Sequence, residues 1–398
     1  MELYQFLINK KITVLKAAIF RIFIFVSLLL VASLLISGCK VYHAFDIVFS
    51  QKWDQDETIP EGMPRIEYKH SIPIIHLYGS PYEMGSQYGI LLENQLEGLL
   101  MIINKFFSEK VINKYIRFAG EVEKMLPPEF LSFISGMAET SGADYKKLLA
   151  LNIVPKKTCS VLAVWGDATH DGNLLMGRNA DYIFKKINKG LGIIVVKHPS
   201  EGYATISSSF LGMAGTFTGM NEKGVCYGNM LVYNGFEDKN KTDGLPIQLL
   251  MQNAAEKSGT AAEMIDYLTK KKHLTPVNVM CADSCEAILA ELGQNNFACR
   301  KGKKGILAAS NYFYSPKMYK KFQNDSRYSS LMIKARDNYG MFNLDHLQEA
   351  MHDARKPNQN LQCVLFDPAK KIVYVSMNKV PASRGPFFSF DLIKLIKQ

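Results

Sequence analysis

The sequence predicts an α+β fold in which sheets and helices form separate layers. After residue 158, short apolar runs follow one another at close intervals and are joined by turn residues, which is typical of antiparallel hairpins. Stretches with apolar residues at helical spacing lie between blocks of these runs, and a mainly helical segment precedes them. This order favours layered α and β structure over a doubly wound parallel sheet.

The composition is that of a globular chain. Of the 398 residues, 47% are hydrophobic and 21% are charged, which excludes a disordered or collagen-like protein. The formal net charge is +10, but the lysine-rich turns lack the interleaved aromatic residues and the groove-reading motif of nucleic-acid-binding proteins. We therefore interpret the charge as solvated surface with some attraction to anionic membranes, and expect no nucleic-acid partner.

The N-terminus has the pattern of a signal peptide. Basic residues precede a charge-free apolar run over residues 22–36, which is shorter than the ~20 residues of a membrane-spanning helix. The run ends in Ile-Ser-Gly-Cys, which resembles the lipobox of bacterial lipoproteins, with Cys39 as the lipidated residue. An uncleaved helical anchor is the alternative. Both interpretations export residues 40–398 and tether them to a membrane, facing the periplasm or the cell exterior.

The pattern divides the chain into four segments. Residues 1–38 are the predicted signal peptide, and residues 39–69 are a polar, irregular tether. Residues 70–158 are expected to be mainly helical, because apolar residues recur at helical spacing after Ser80. Residues 159–398 are expected to be rich in strands.

The first hairpin of the strand-rich part is the most clearly marked. Its two apolar runs, CSVLAVWGDAT and NLLMGRNADY, are separated by His170-Asp171-Gly172, where glycine supplies a positive φ. Further runs follow up to the C-terminus, with helices between some of them. The helices are predicted over residues 245–258, 261–271 and about 327–335.

Several common catalytic signatures are missing from the sequence. It has no Gly-x-Ser-x-Gly elbow, Walker loop, His-Glu-x-x-His motif or dinucleotide fingerprint. The eight histidines show no pairing at metal-ligand spacing, so we expect no metal and no cofactor. The seven cysteines form no regular framework, although a bridge between Cys281 and Cys285 remains open.

The first hairpin also carries the candidate chemistry. Cys159 stands at the head of one strand, and Arg178 and Asp181 stand at the end of the strand paired with it. This places a thiol, a cation and a carboxylate within reach of each other, as for a nucleophile organised by a charge pair. Taken alone, the pattern also fits a buried cysteine beside a surface ion pair.

The motifs around the hairpin closely resemble the N-terminal-nucleophile cysteine hydrolases. This superfamily includes choloylglycine hydrolase, penicillin V acylase and acid ceramidase, and the resemblance is greatest to the acyl-coenzyme A:6-aminopenicillanic acid acyltransferase family. It continues in matching order over most of residues 76–390. Besides the hairpin, it is carried by HLYGSPYEMGSQYG from His76, GMNEKG from Gly219, Ser310 to Phe313, Asp325 to Tyr328, and the closing VLFDPAKKIVYVSMNKVP.

The resemblance implies a self-activating enzyme. Residues 159–398 would form a four-layer αββα sandwich, and residues 70–158 a helical pro-segment that can stay associated with it. Cleavage between Thr158 and Cys159 would free an α-amine, whose ordinary pKa is ~8, to act as the base for the Cys159 thiol. The substrate would be a linear N-acyl amide, attacked to form a Cys159 thioester and released to water or to an acyl acceptor.

The resemblance also implies roles for the residues near the nucleophile. Tyr312 departs from the family pattern, which often has histidine there, and the strand position of Asn229 differs from that in bile salt hydrolases. The implied roles are Arg178 for the thiolate and substrate, Asp181 for the α-ammonium, Asn311 for the oxyanion, Asn229 or a backbone amide as the second oxyanion donor, and Arg327 for the surrounding polar network.

Two other functions fit the same sequence. An esterase or phospholipase B-like enzyme would form the same thioester from a lipid ester, and would be separated by matched amide and ester substrates. A non-catalytic envelope lipoprotein could use the fold as a binding module. It would show neither cleavage at Cys159 nor a reactive thiol there.

Overall fold

The computed structural model describes residues 62–153, 158–181, 190–238 and 241–397. Its strands are β1 (Arg65–Lys69), β2 (Ile72–Gly79), β3 (Thr158–Gly166), β4 (Gly172–Asp181), β5 (Gly192–Pro199), β6 (Thr205–Phe210), β7 (Thr218–Asn221), β8 (Cys226–Leu231), β9 (Val277–Ala282), β10 (Ala287–Leu292), β11 (Phe297–Lys301), β12 (Ile306–Ala309), β13 (Asn360–Asp367), β14 (Ile372–Met377) and β15 (Phe388–Asp391). Its α-helices are α1 (Pro81–Leu91), α2 (Glu93–Phe106), α3 (Glu109–Glu123), α4 (Pro128–Ser141), α5 (Tyr145–Ile153), α6 (Ile247–Lys257), α7 (Ala261–Thr269), α8 (Ser326–Asp337), α9 (Leu344–Asp353) and α10 (Leu392–Lys397).

The strands form two large sheets of a mixed α/β fold. One sheet has nine strands in the order β1-β2-β5-β6-β7-β8-β9-β10-β11, and the other has six in the order β12-β3-β4-β13-β14-β15. Neighbouring strands are antiparallel except for β2 and β5, which pair in parallel with Ile74 opposite Ile194. Antiparallel hairpins dominate, as the sequence predicts.

The two sheets pack against each other through apolar side chains. Val161 and Met176 of the six-stranded sheet belong to one buried cluster with Val196 and Met280 of the nine-stranded sheet. Helices α6 and α7 pack on the other face of the nine-stranded sheet at β8 to β10. Helices α8 and α9 pack on the other face of the six-stranded sheet. The alternation of side chains along each strand thus separates an inter-sheet core from two helix-facing cores.

The segment before residue 154 contributes strands as well as helices. β1 lies inside the predicted tether of residues 39–69, and β2 lies at the start of the predicted helical segment. β2 reads IPIIHLYG and is buried along most of its length, which suits an interior strand. Helices α1 to α5 follow and pack on β2 and β5. β2 pairs with β1 in a local hairpin and with the distant β5, and the prediction of a tether followed by a helical segment missed both β1 and β2.

Individual predictions differ in their outcome. The three helices predicted after residue 240 correspond to α6, α7 and α8. Cys281 and Cys285 are both free, so the bridge left open between them is absent. The predicted signal peptide and Cys39 lie outside the described residues. Within the described ranges, none of the helices has the length and apolar character needed to cross a membrane.

Candidate active site

The β3–β4 hairpin sets the register of the candidate site. Thr158 pairs with Asp181 and Val161 pairs with Arg178. Gly172 has a φ of 76° in the connecting turn, as the sequence predicts. Cys159 pairs with Ala180, so its side chain lies on the same face of the hairpin as Arg178, whereas Asp181, paired with Thr158, lies on the other face.

Polar groups contact Cys159 at its thiol, its amide nitrogen and its carbonyl oxygen. The Arg178 Nη2 donates to the sulfur at 3.1 Å. The backbone nitrogen of Cys159 donates to Oδ1 of Asn311 at 2.9 Å. The carbonyl oxygen accepts from Nη1 of Arg327 at 3.0 Å. The residue is 1% exposed, so these contacts surround a buried thiol.

Arg178 is a cation held between the two sheets. Its side chain is 2% exposed, and Nε and Nη2 donate to the carbonyl of Asn229 at 3.1 and 2.9 Å. Gly228 makes room for it, because a Cβ at that position would lie 2.5 Å from the Arg178 Cδ. A guanidinium beside a thiol favours the thiolate form, which is the nucleophile.

Asp181 is a fully buried carboxylate at the end of β4. Its Oδ1 accepts from the Asn360 side chain at 3.0 Å, and its Oδ2 accepts from the Lys356 backbone nitrogen at 3.2 Å. Burial raises the pKa of Asp181 to about 6, against the lowering effects of Asn360 and of the Arg327 guanidinium 3.9 Å away. The carboxylate is therefore ionised only above mildly acidic pH.

Arg327 is positioned by the start of α8. Asp325 caps this helix by accepting from the Arg327 backbone nitrogen at 3.0 Å, and it also pairs with the Arg327 guanidinium at 2.8 Å. Burial alone would raise the pKa of Asp325, but its donors, including Arg327, keep it below the ordinary value. From the sequence alone, neither Asp325 nor Asn360 has an assigned role. The helix-capping position of Asp325 is a signal that could have identified it, whereas no local pattern marks Asn360.

Asn311 and Asn229 contact the site through oxygen atoms. Oδ1 of Asn311 accepts from both Cys159 and Arg327, the latter at 2.9 Å, and its Nδ2 donates to the carbonyl of Leu231. Asn229 contributes its backbone carbonyl, while its side-chain oxygen is buried without a hydrogen-bond partner among the described residues. Through Oδ1, Asn311 accepts from the backbone nitrogen of Cys159 and from Arg327, and so orients that nitrogen. The sequence predicted a different role for Asn311, in which its side-chain NH₂ group donates to the oxyanion.

A cavity of about 420 Å³ has Tyr233 in its wall, and none of the five residues Cys159, Arg178, Asp181, Asn311 and Arg327 lines it. It is lined by residues 232–235 on one side and by Lys320 and Lys321 on the other. The backbone nitrogen of Tyr233 donates to the Asn311 carbonyl at 3.0 Å, which connects the cavity wall to the nucleophile. Burial raises the pKa of Tyr233 to about 12, with a smaller contribution from the nearby Cys159. The described residues contain no group of three or more metal-ligating side chains.

Comparison with curated proteins finds distant relatives of unstated function. The chain is 27% identical to protein dcd1B of Dictyostelium discoideum over 262 residues, which cover 57% of this chain and 51% of that protein. It is 26% identical to protein dcd1A of the same organism over 221 residues, which cover 46% of this chain and 49% of that protein. An uncharacterized protein of Archaeoglobus fulgidus is 22% identical over 350 residues, which cover 72% of this chain and 58% of that protein. The chain thus spans about half the length of the two Dictyostelium relatives, and no family model matches it.

Solved structures with some similarity include three amide-cleaving enzymes. The N-acylethanolamine-hydrolyzing acid amidase ortholog of Caenorhabditis elegans is 16% identical with a TM-score of 0.43, covering 53% of this chain and 93% of that one. Penicillin V acylase from Agrobacterium tumefaciens is 14% identical with a TM-score of 0.43, and the match covers 60% of this chain and 88% of that one. Conjugated bile acid hydrolase from Clostridium perfringens is 14% identical with a TM-score of 0.43, and the match covers 60% of this chain and 94% of that one. Likenesses at this level do not assign the chain to a family.

Proposed function

We propose that the chain is a self-activating cysteine amidohydrolase or acyltransferase of the N-terminal-nucleophile type. The observation that supports this most is the set of contacts at Cys159, in which the thiol meets a buried guanidinium and the amide nitrogen meets Asn311. Any buried residue needs partners for its backbone N–H and C=O, but a structural cysteine has no need for a guanidinium that donates to its sulfur. The proposal includes a four-layer αββα sandwich formed by residues 159–398.

Activation begins with the bond between Thr158 and Cys159. The Cys159 sulfur attacks the Thr158 carbonyl carbon, a thioester forms, the C–N bond breaks, and the nitrogen takes up a proton. Water then hydrolyses the thioester, which releases Thr158 as a carboxylate. Before cleavage the nitrogen is a non-basic amide, whereas afterwards it is an α-amine, with an ordinary pKa of ~8, that can accept the thiol proton. The precursor should therefore be inactive toward substrate.

The residues around the new amine support the next steps. Asp181 balances the charge of the α-ammonium group, and Oδ1 of Asn311 accepts a hydrogen bond from that group. Arg178 stabilises the thiolate, which attacks the acyl carbonyl of a linear N-acyl amide. The leaving amine takes the proton from the α-ammonium, and the acyl group remains on sulfur. Water or an acyl acceptor then attacks the thioester and releases the product.

The oxyanion formed in these steps needs hydrogen-bond donors. Nδ2 of Asn311 has two hydrogens, of which the Leu231 carbonyl takes one, so the second can serve the oxyanion. We assign the second donor to the Asn229 side chain or to a backbone amide. Loss of one such donor typically costs ~2.7–4 kcal/mol of transition-state stabilisation. Arg327 supports Asn311 by holding its Oδ1.

The N-terminal segment is proposed to stay bound after cleavage. β2 pairs with β5, and α1 to α5 share a buried cluster with the same sheet, so the two pieces share extensive apolar surface. The proposal also keeps Cys39 as the lipid anchor of an exported, membrane-tethered bacterial lipoprotein. The substrate would reach Cys159 through the cavity beside Tyr233.

The test is to trap the thioester. The full chain is incubated with a series of linear N-acyl amides and matched esters, quenched in acid and analysed by intact mass and peptide mapping. We expect acyl adducts on Cys159 and release of the amine, with no adduct in Cys159→Ala and full activity in Cys285→Ala, which removes an exposed thiol. Turnover of esters alone would support the esterase instead. Absence of adducts and of thiol reactivity would support a non-catalytic binding module.

A further inference from the structure

A second cavity lies on the opposite face of the nine-stranded sheet from Cys159. It has a volume of about 340 Å³, within the range of small-molecule sites, and it lies between the N-terminal helices and helix α6. Lys197 of β5 lines it, whereas Ile194 and Val196 of the same strand belong to the inter-sheet cluster that contains Cys159. Because side chains alternate along a strand, this cavity is separate from the candidate active site.

Lys197 is a buried ammonium without a charged partner at contact distance. The residue is 6% exposed, and its Nζ donates to the carbonyl of Ala214 at 2.7 Å. The Nζ also lies 4.4 Å from the ring centre of Phe133 on α4. None of the described carboxylates is within ion-pair distance of it. Burial lowers the pKa of Lys197 to about 8, and the charge of Glu256 opposes that fall. A buried cation in this position costs free energy unless an anion meets it.

The same cavity has unused hydrogen-bond acceptors on α6. Glu256 accepts from the Gln252 side chain at 2.7 Å, and it has no ion pair among the described residues. Burial raises the pKa of Glu256, while Lys197 acts in the opposite direction. Gln252 is 6% exposed, and its Oε1 is buried with no hydrogen-bond partner in the described part of the chain. Three exposed charged residues, Glu129, Glu201 and Lys257, also line the cavity. Its buried part presents the Lys197 ammonium, which can donate to an anion, and the acceptors of Glu256 and Gln252, which can accept from a cationic donor.

We propose that this cavity binds a small zwitterion of the amino-acid type. Its carboxylate would lie against the Lys197 ammonium, and its own ammonium would donate to Glu256 and to Oε1 of Gln252. Such a ligand supplies both missing partners at once, which neither a simple anion nor a simple amine does. The remaining wall includes Phe130 and Phe133 of α4, so an apolar side chain on the ligand would be buried there.

The ligand would also connect two parts of the chain. Ser80, Met84 and Phe133 come from the segment before residue 154, whereas Lys197 and Gln252 come from the segment after residue 158. Binding would therefore stabilise the packing of the helical segment on the sheet. This inference does not depend on cleavage or on amide hydrolysis, because every residue used lies outside the Cys159 cluster.

The test measures thermal unfolding of the full chain with each of the common protein amino acids at millimolar concentration. At least one is expected to raise the melting temperature by about 2 °C or more. Its des-amino and decarboxylated analogues, each with one charge only, should give less than half of that rise. Binding of the best amino acid is then measured by titration calorimetry.

Three variants decide the result. Lys197→Met and Glu256→Gln should each weaken binding at least tenfold, whereas Lys223→Met, at an exposed turn position, should bind like the wild type. Cooperative thermal unfolding of each variant without ligand, together with a wild-type circular dichroism spectrum, would show that the variants fold. The proposal is wrong if no amino acid stabilises the protein, if the single-charge analogues do so equally well, or if Lys197→Met binds like the wild type.

Discussion

The buried charges around Cys159 and those around Lys197 are balanced in different ways. At Cys159, the guanidiniums of Arg178 and Arg327 both have protein partners, the Asn229 carbonyl for the first and the Asp325 carboxylate for the second. At the second cavity, the Lys197 ammonium contacts one backbone carbonyl. This is the contrast that the two proposals require, a preorganised reaction site at Cys159 and a ligand site at Lys197. At the first, both guanidiniums have partners within the protein, whereas the second has complementary groups facing an open cavity.

Removing the cation at the nucleophile should have the strongest consequence. In Arg178→Met, the thiolate loses its charged donor, and the Asn229 carbonyl loses its partner. We expect amide turnover to fall about 10²-fold to 10³-fold, as when one donor is removed from a reaction centre. Steady-state kinetics and the rate of iodoacetamide alkylation at Cys159 measure this. Arg336→Met, on the exposed side of α8, is the matched control. Equal turnover in both variants would contradict the proposed role.

A smaller change is expected from breaking the support of Arg327. Asp325→Asn removes the charge that pairs with the guanidinium and weakens the cap of α8. The free energy of unfolding should fall by about 2 kcal/mol, and turnover should fall about 10-fold. Denaturant titration and kinetics are compared with Asp337→Asn at the exposed end of the same helix. A variant as stable and active as this control would show that the pair does not position Arg327.

The pH dependence tests the role of Asp181. Its pKa is raised to about 6 by burial, and the ionised form is needed to balance the α-ammonium, so activity should be lost as the pH falls through about 6. Asn360 opposes the raised pKa by donating to the carboxylate. In Asn360→Leu, the acidic limb of the turnover profile should therefore move to higher pH. An unchanged limb in a folded variant would assign it to another group.

Substitution at the second cavity should change activity least. Lys197→Met removes an unpaired buried charge, so turnover should stay within about twofold of wild type, and the free energy of unfolding should be similar or higher near neutral pH. The pKa of Lys197 falls from 10.5 to about 8 on folding. The unfolded chain therefore binds more protons between these values, and wild-type stability should rise with pH there relative to the variant. A lower stability of Lys197→Met near neutral pH, or a stability difference that stays constant as the pH rises above 8, would contradict this expectation.

Sequence patterns predicted the local part of the site, whereas Asn311 and Arg327 were named only through the resemblance, and Asn360 was not named at all. Cys159 and Arg178 lie on one face of one hairpin, so turn chemistry and strand alternation were sufficient to bring them together, whereas the same alternation places the Asp181 side chain on the other face. Asn360 is on another strand, β13, and its contact with Asp181 depends on the order of strands in the sheet. No pattern in the neighbouring sequence specifies that order.

Burial of Lys197 could not be predicted for a related reason. In GIIVVKHP the lysine follows a run of apolar residues near the end of a strand, where solvent exposure is the usual expectation. It is buried because Phe133 of α4 covers it, and α4 reaches this position through packing on a distant part of the sheet. The orientation of Asn311 was also missed, because Arg327 and Cys159 both donate to its oxygen only in the folded arrangement.

The proposed function depends on cleavage that makes Cys159 an N-terminal nucleophile, and intact mass with N-terminal sequencing of the full chain reports on that cleavage. Wild type is compared with Cys159→Ala and with Cys285→Ala, which removes an exposed free thiol elsewhere. We predict a new N-terminus at Cys159 in the wild type and in Cys285→Ala, and an uncleaved bond after Thr158 in Cys159→Ala. An uncleaved wild-type chain, or cleavage at this bond in Cys159→Ala, would contradict the proposal.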